Sequence, residues 1–137
     1  MQAPDFWSRG GLLASSLAPA GWLYAAGGWL RHLCARPVKA PVPVICVGNL
    51  VAGGAGKTPV VLSLADLLNE RRPHALTRGY GGRLHGPVQV DTSQHSVADV
   101  GDEPLLLAQH LPTWVARDRA AGALAAAAAD AGLILMD

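Results

Sequence analysis

An α/β fold, a parallel sheet flanked by helices and preceded by an uncharged N-terminal helix, is predicted by three features of this 137-residue chain. From residue 42 onward, short β-branched apolar runs alternate with helical stretches and with glycine-rich or charged connections, the alternation that builds parallel sheets through crossover helices. The first of those runs opens directly into a glycine-rich loop and a helix. Ahead of them, residues 10–30 carry no charge at all. Pro37, Pro41 and Pro43 mark a short extended linker. The expected division is therefore residues 1–40, helix and linker, and residues 41–137, the α/β domain.

Composition narrows the function classes. Half of the chain is apolar, 15% is charged, and the formal net charge is +1. Near-neutral charge without a basic face argues against a nucleic-acid partner. Cys34 and Cys46 have no histidines at metal-ligand spacing, so neither a disulfide framework nor a zinc site is expected. Cys46, inside an apolar run, reads as a small core side chain. The five histidines, His32, His74, His85, His95 and His110, show no ligand spacing and read as ordinary core or surface residues.

The uncharged segment is long enough to span a bilayer, but five glycines, two serines and Pro19 leave it only weakly apolar. Trp7, Trp22, Tyr24 and Trp29 are the amphipathic aromatics that favour the headgroup level, and Arg31, Arg36 and Lys39 follow where anionic lipid would lie. Contact with a membrane surface is expected. Spanning, interfacial seating and packing on the domain remain open readings of its depth.

Residues 42–47 (VPVICV) have the pattern of a buried parallel strand. Gly48 then begins a loop that runs through Val51, Ala52, Gly53, Gly54, Ala55 and Gly56 to Lys57 and Thr58, and residues 60–68 read as a helix with Pro59 in its first turn. Strand, glycine-rich loop, Lys-Thr and helix are the context of a phosphate-binding P-loop. Glycines let backbone N–H groups curl round phosphate oxygens, and the helix start adds partial positive charge. Lys57 would reach the β- and γ-phosphates of ATP, and the Thr58 hydroxyl would ligate Mg²⁺. Val51 stands where the strict pattern has glycine.

Residues 73–78 and 87–90 read as further strands, the first ending in Arg78 and the glycine-rich TRGYGG. Asp102 and Glu103 fall at the start of a helical run, where acids commonly serve as dipole-compensating caps. A strand at 113–117, an alanine-rich helix at 118–131 and a buried strand at 133–137 complete the pattern. That last strand is expected to fray at its end.

With the elements in place, PVPVICVGNLVAGGAGKTPVV, TRGYGG, GDEPLLLA, VARDR and LILMD resemble, in that order, the landmarks of the tetraacyldisaccharide 4'-kinase family over essentially the whole chain. The family usually lacks the first P-loop glycine as well. The resemblance implies transfer of the ATP γ-phosphoryl group to the 4'-hydroxyl of a tetraacyldisaccharide 1-phosphate, a lipid A precursor, at the cytoplasmic face of the bacterial inner membrane. Its cofactors would be ATP and Mg²⁺, and no obligate protein partner is implied. Matched residue by residue, residues 51–58 are the ATP-binding stretch, Asp102 is the catalytic base with Glu103 beside it, Lys57 acts on the phosphates, and Asp137 is a metal ligand. Arg78, and Arg117 or Arg119, are candidates for phosphate or lipid contacts. Members of the family carry a second α/β domain, so weak or absent turnover is expected from these residues alone. Two other readings stand beside this one: a P-loop ATPase of the membrane-partitioning or metal-insertion type, and a nucleotide-binding fragment without turnover.

Overall fold

The computed structural model describes residues 12–34, 37–48 and 56–137. The chain divides into two units, Met1–Val38 and Lys39–Asp137. In the first, α1 (Leu12–Cys34) is a 23-residue helix with Pro19 inside it. Trp22, Leu23, Tyr24, Trp29, Leu30 and Leu33 on it are exposed. Among the described residues no helix is long and apolar enough to cross a membrane. The reading of the uncharged segment as a span is thus not met by any described helix, because its glycines and serines dilute its hydropathy.

The second unit follows the predicted order of elements. Strands β1 (Val44–Cys46), β2 (Pro73–Thr77), β3 (Val88–Gln89), β4 (Thr113–Val115) and β5 (Leu133–Met136) form one sheet in the order β1-β5-β2-β4-β3. Helices α2 (Lys57–Leu67), α3 (Val97–Val100), α4 (Asp102–Ala108) and α5 (Arg119–Ala128) connect them. The first four strands in that order are parallel, whereas β3 runs antiparallel to β4. The sheet is therefore mixed, not wholly parallel as predicted. Between β2 and β3 the chain runs through the TRGYGG loop with no helix. A parallel return needs a crossover of a dozen or more residues, usually helical.

Period-two alternation sorts the side chains onto the two faces. Ala75, Leu133 and Leu135 meet Val61 and Ala65 of α2 and Leu107 of α4 on one face. Leu76, Ile134 and Trp114 meet Ala123 and Ala126 of α5 on the other. Gly122 allows α5 its close approach, since a Cβ there would lie 2.7 Å from Leu76 Cδ1. Asp118 caps this helix, its Oδ1 accepting from the N–H groups of Ala120 and Ala121, an interaction worth about 1 kcal/mol. His74 is a core residue: its Nδ1 accepts from Trp114 Nε1 at 3.3 Å, and burial lowers its pKa.

Two expectations about burial are corrected by strand order. The run at 42–47 is not a buried strand but the sheet edge, with Val44 half-buried and Ile45 and Cys46 exposed. Among the described residues only β5 pairs with β1, and Cys46 is exposed, so it is no core side chain. Conversely β5, expected to fray, lies between β1 and β2. Its ladder continues past the strand: the Asp137 N–H donates to Leu76 O at 3.1 Å and that of Val47 to Met136 O at 2.8 Å.

The TRGYGG loop is clamped against the segment leading into α4. Arg83 N donates to Ala98 O and Leu84 N to Asp99 O. A Cβ on Gly82 would sit 2.6 Å from the carbonyl carbon of Val100 and 2.7 Å from Asp99 O. Both are backbone atoms that cannot rotate away. Gly82→Ala should therefore lower stability by about 1–3 kcal/mol, the usual range for overpacking. A thermal melt coincident with that of the parent would show that the two segments are not tightly apposed.

Candidate functional site

The C-terminal ends of the parallel strands point to one edge of the sheet, where open α/β sheets bind ligands. There β1 leads toward the glycine-rich loop, β5 runs into Asp137, β2 into Arg78 and β4 toward Arg117. Val51, Ala52, Gly53, Gly54 and Ala55 lie outside the described residues. Gly56 is described, and its φ of 91° is the left-handed conformation that a residue with a Cβ enters only under strain. It turns the chain directly into α2, which begins at Lys57 and Thr58.

Four side chains converge at that turn. Lys57 Nζ lies 3.3 Å from Asp137 Oδ1. Thr58 Oγ1 donates to Glu103 Oε1 at 3.0 Å, joining residues 45 positions apart. Burial pushes the Glu103 carboxyl above its ordinary value, and the neighbouring Asp137 carboxylate, close enough to share a proton, pushes it further. The Thr58 hydroxyl and the Lys57 charge pull the other way without cancelling the rise. Asp137 Oδ1 is buried, and apart from its ion pair with Lys57 it has no hydrogen bond of good geometry.

Two carboxylates and a hydroxyl gathered around an incompletely satisfied buried oxygen are a donor set for a hard divalent cation. Among the described residues no group of three or more His, Cys, Asp or Glu forms a self-sufficient metal cage. Mg²⁺ is usually held by one or two carboxylates, with water and substrate phosphates completing its shell.

Of the predicted residues, the structure thus brings together Lys57, Thr58 and Asp137. Asp102, the first residue of α4, is exposed, and among the described residues its side chain makes no hydrogen bond. The side chain that faces Thr58 from this helix is that of its neighbour Glu103. The sequence alone predicts for Glu103 only a place beside the base or a capping role. The signal available was the Asp-Glu pair at a helix start, which does not say which acid turns inward. Arg78 and Arg117 line one hollow of about 410 Å³ with Gly79 and Tyr80. Arg119 is used differently: its Nη2 donates to the Asp137 carbonyl at 3.1 Å, helping to hold the end of β5.

Fold and site together define a mixed α/β protein that gathers a lysine, a hydroxyl and paired carboxylates at the C-terminal edge of its sheet. Residues 13–137 match the sequence model of the tetraacyldisaccharide-1-P 4'-kinase family, and the chain belongs to that family. Over 144 residues it is 54% identical to the tetraacyldisaccharide 4'-kinase of Parvibaculum lavamentivorans, covering 100% of this chain and 42% of that one. With the protein of the same name from Methylobacterium nodulans the identity is 59% over 142 residues, again with 100% and 42% coverage. Among solved structures it is similar to LpxK from Aquifex aeolicus in complex with ATP, at 36% identity and a TM-score of 0.75, over 91% of this chain and 44% of that one. The chain thus spans about two-fifths of the length of the curated relatives it matches.

Proposed function

We propose that this chain carries the nucleotide and metal site of an ATP-dependent kinase that phosphorylates the 4'-hydroxyl of tetraacyldisaccharide 1-phosphate, giving the lipid A precursor lipid IVA. The observation that carries the reading is the convergence of Lys57, Thr58, Glu103 and Asp137 at the turn from the glycine-rich loop into α2. Family membership and the ATP-bound relative support it. In this reading the second unit is a P-loop fold, and residues 51–58 cradle the triphosphate.

Each residue then has a task that follows from its place. Lys57 leaves Asp137 for the β- and γ-phosphates, where its charge offsets what builds up in transfer. Thr58, Glu103 and Asp137 would hold Mg²⁺. When bound, that cation neutralises phosphate charge and fixes its orientation. Asp102, exposed and free of hydrogen bonds among the described residues, is accessible to an incoming hydroxyl and acts as the base that orients it and takes its proton. Arg78 and Arg117, which line one hollow with Tyr80, offer cationic groups for a phosphate of the lipid substrate. The exposed aromatics of α1 favour seating at a membrane surface, at the cytoplasmic face of the inner membrane, where a lipid substrate is reached.

The test is transfer of labelled γ-phosphate from ATP to tetraacyldisaccharide 1-phosphate in detergent micelles. It would be run on a chimera in which this chain replaces the matching stretch of the Parvibaculum relative. Transfer by the chimera that Asp102→Ala removes is the expected result. A folded chimera inactive toward this lipid, beside an active parent relative, would sink the reading.

A further inference from the structure

We infer that Asp99 is a positioning residue for Glu103, locking the start of α3 to the TRGYGG loop through Arg83 so that the acid at the head of α4 meets Thr58. The inference rests on the proposed nucleotide and metal site. Asp99 lies in none of the motifs that identify the family, and it does not touch the four converging side chains.

Its contacts are specific. Oδ2 of Asp99 accepts from the Ser96 N–H at 2.8 Å and from Ser96 Oγ at 2.7 Å. Oδ1 lies 2.6 Å from Arg83 Nη2. The residue is 8% exposed, a burial that its pairing with Arg83 and Ser96 makes tolerable. The hydrogen bonds from Ser96 hold its carboxyl down at about 2, so it is charged at neutral pH. One carboxylate therefore ties together a helix start, residues 96–99, and the far end of the loop that carries Arg78 and Tyr80.

The position of Glu103 depends on that tie because nothing slack lies between them. α3 ends at Val100, and one residue, Gly101, joins it to α4. Gly101 has φ 94° and ψ 165°, a conformation open essentially to glycine, and a Cβ on it would sit 2.6 Å from Tyr80 O. A Cβ on Gly79 would likewise sit 3.1 Å from Val100 O. A shift of α3 is thus passed to the head of α4 and to the loop at once. Arg83 is itself exposed, and such an ion pair contributes little to stability. Its value lies in direction, since it draws the loop onto the carboxylate that also caps α3.

The experiment compares ATP affinity with and without Mg²⁺ in the full chain for the parent, Asp99→Asn, Arg83→Gln and Arg83→Lys, each measured well below its melting temperature. Metal-free affinity, set by the loop and Lys57, should stay at the parent value in all three. The gain that Mg²⁺ adds should fall about tenfold in Asp99→Asn, the range for residues that orient metal ligands. It should fall by less in Arg83→Gln and be retained in Arg83→Lys. A plain helix cap would lower the melting temperature of Asp99→Asn and leave the gain intact, which would overturn the inference. Should Asp99→Asn not fold, Arg83→Gln decides: a reduced gain supports the inference and a full gain overturns it. A parent chain whose ATP affinity gains nothing from Mg²⁺ would overturn the proposed site, and this inference with it. A parent with the gain and variants that keep it would overturn the inference alone.

Discussion

Lys57→Ala should abolish measurable ATP binding by this chain and lower phosphoryl transfer in the chimera by about 10²–10³-fold, the usual effect of removing one preorganised group that stabilises transition-state charge. In the structure described here the ammonium group already has a partner, Asp137 Oδ1 at 3.3 Å. Only 9% of the Asp137 side chain is exposed, against 32% for Lys57. The carboxylate is thus the more dependent member, and the lysine has room to swing toward a phosphate. Removing the lysine leaves that carboxylate beside Glu103 with no compensating charge. The variant should therefore also lose stability, by about 1–3 kcal/mol, the cost of an unsatisfied buried acceptor. Calorimetric titration with ATP and a thermal melt read the two effects separately. Parent-like ATP affinity in Lys57→Ala would mean that the head of α2 is not the phosphate site.

The linear order of the elements was legible because each rests on local chemistry. Residues 133–136 (LILM) read as a strand since both of their faces are apolar, as central strands require. Gly56-Lys57-Thr58-Pro59 reads as a helix start from its glycine and proline. What stayed hidden depends on contacts between distant segments. No feature of residues 42–47 says that β5, not β1, takes the inner place in the sheet, so Ile45 and Cys46 were expected in a core that they do not enter. The short helix α3 has four residues, too few to show a period. The direction of β3 follows from the route of the chain after TRGYGG, where Arg83 and Leu84 donate to the carbonyls of Ala98 and Asp99. The same gap explains the acids at the head of α4. Consecutive helix residues point about 100° apart, so only one of Asp102 and Glu103 can face Thr58. Which one depends on how α4 is rotated against α2 and β4, and sequence order alone does not carry that.

Glu103→Gln separates the tasks of those two acids. The amide keeps the shape of the side chain and can still accept from the Thr58 hydroxyl, but it removes the charge that burial and Asp137 oppose. The folded chain should be as stable as the parent near neutral pH, or more so, because an unfavourable carboxylate has gone. The Mg²⁺-dependent gain in ATP affinity should nevertheless fall by about 10–100-fold. The pH dependence follows from the raised pKa of Glu103. The folded state holds that proton more tightly than the unfolded chain does, so this residue stabilises the fold progressively as pH falls through its raised value toward the ordinary 4.5. Cation binding needs the deprotonated carboxylate, so Mg²⁺-dependent affinity should weaken over the same window. In the parent, then, stability from this residue and metal affinity move in opposite directions with pH, and Glu103→Gln should flatten its share of both. Asp102→Asn should leave Mg²⁺-dependent ATP binding at the parent level and remove transfer, since in the proposed reading its exposed carboxylate serves the acceptor and not the metal. Loss of that Mg²⁺ gain in Asp102→Asn, with retention in Glu103→Gln, would exchange the two assignments. It would mean that α4 turns about its axis when nucleotide binds.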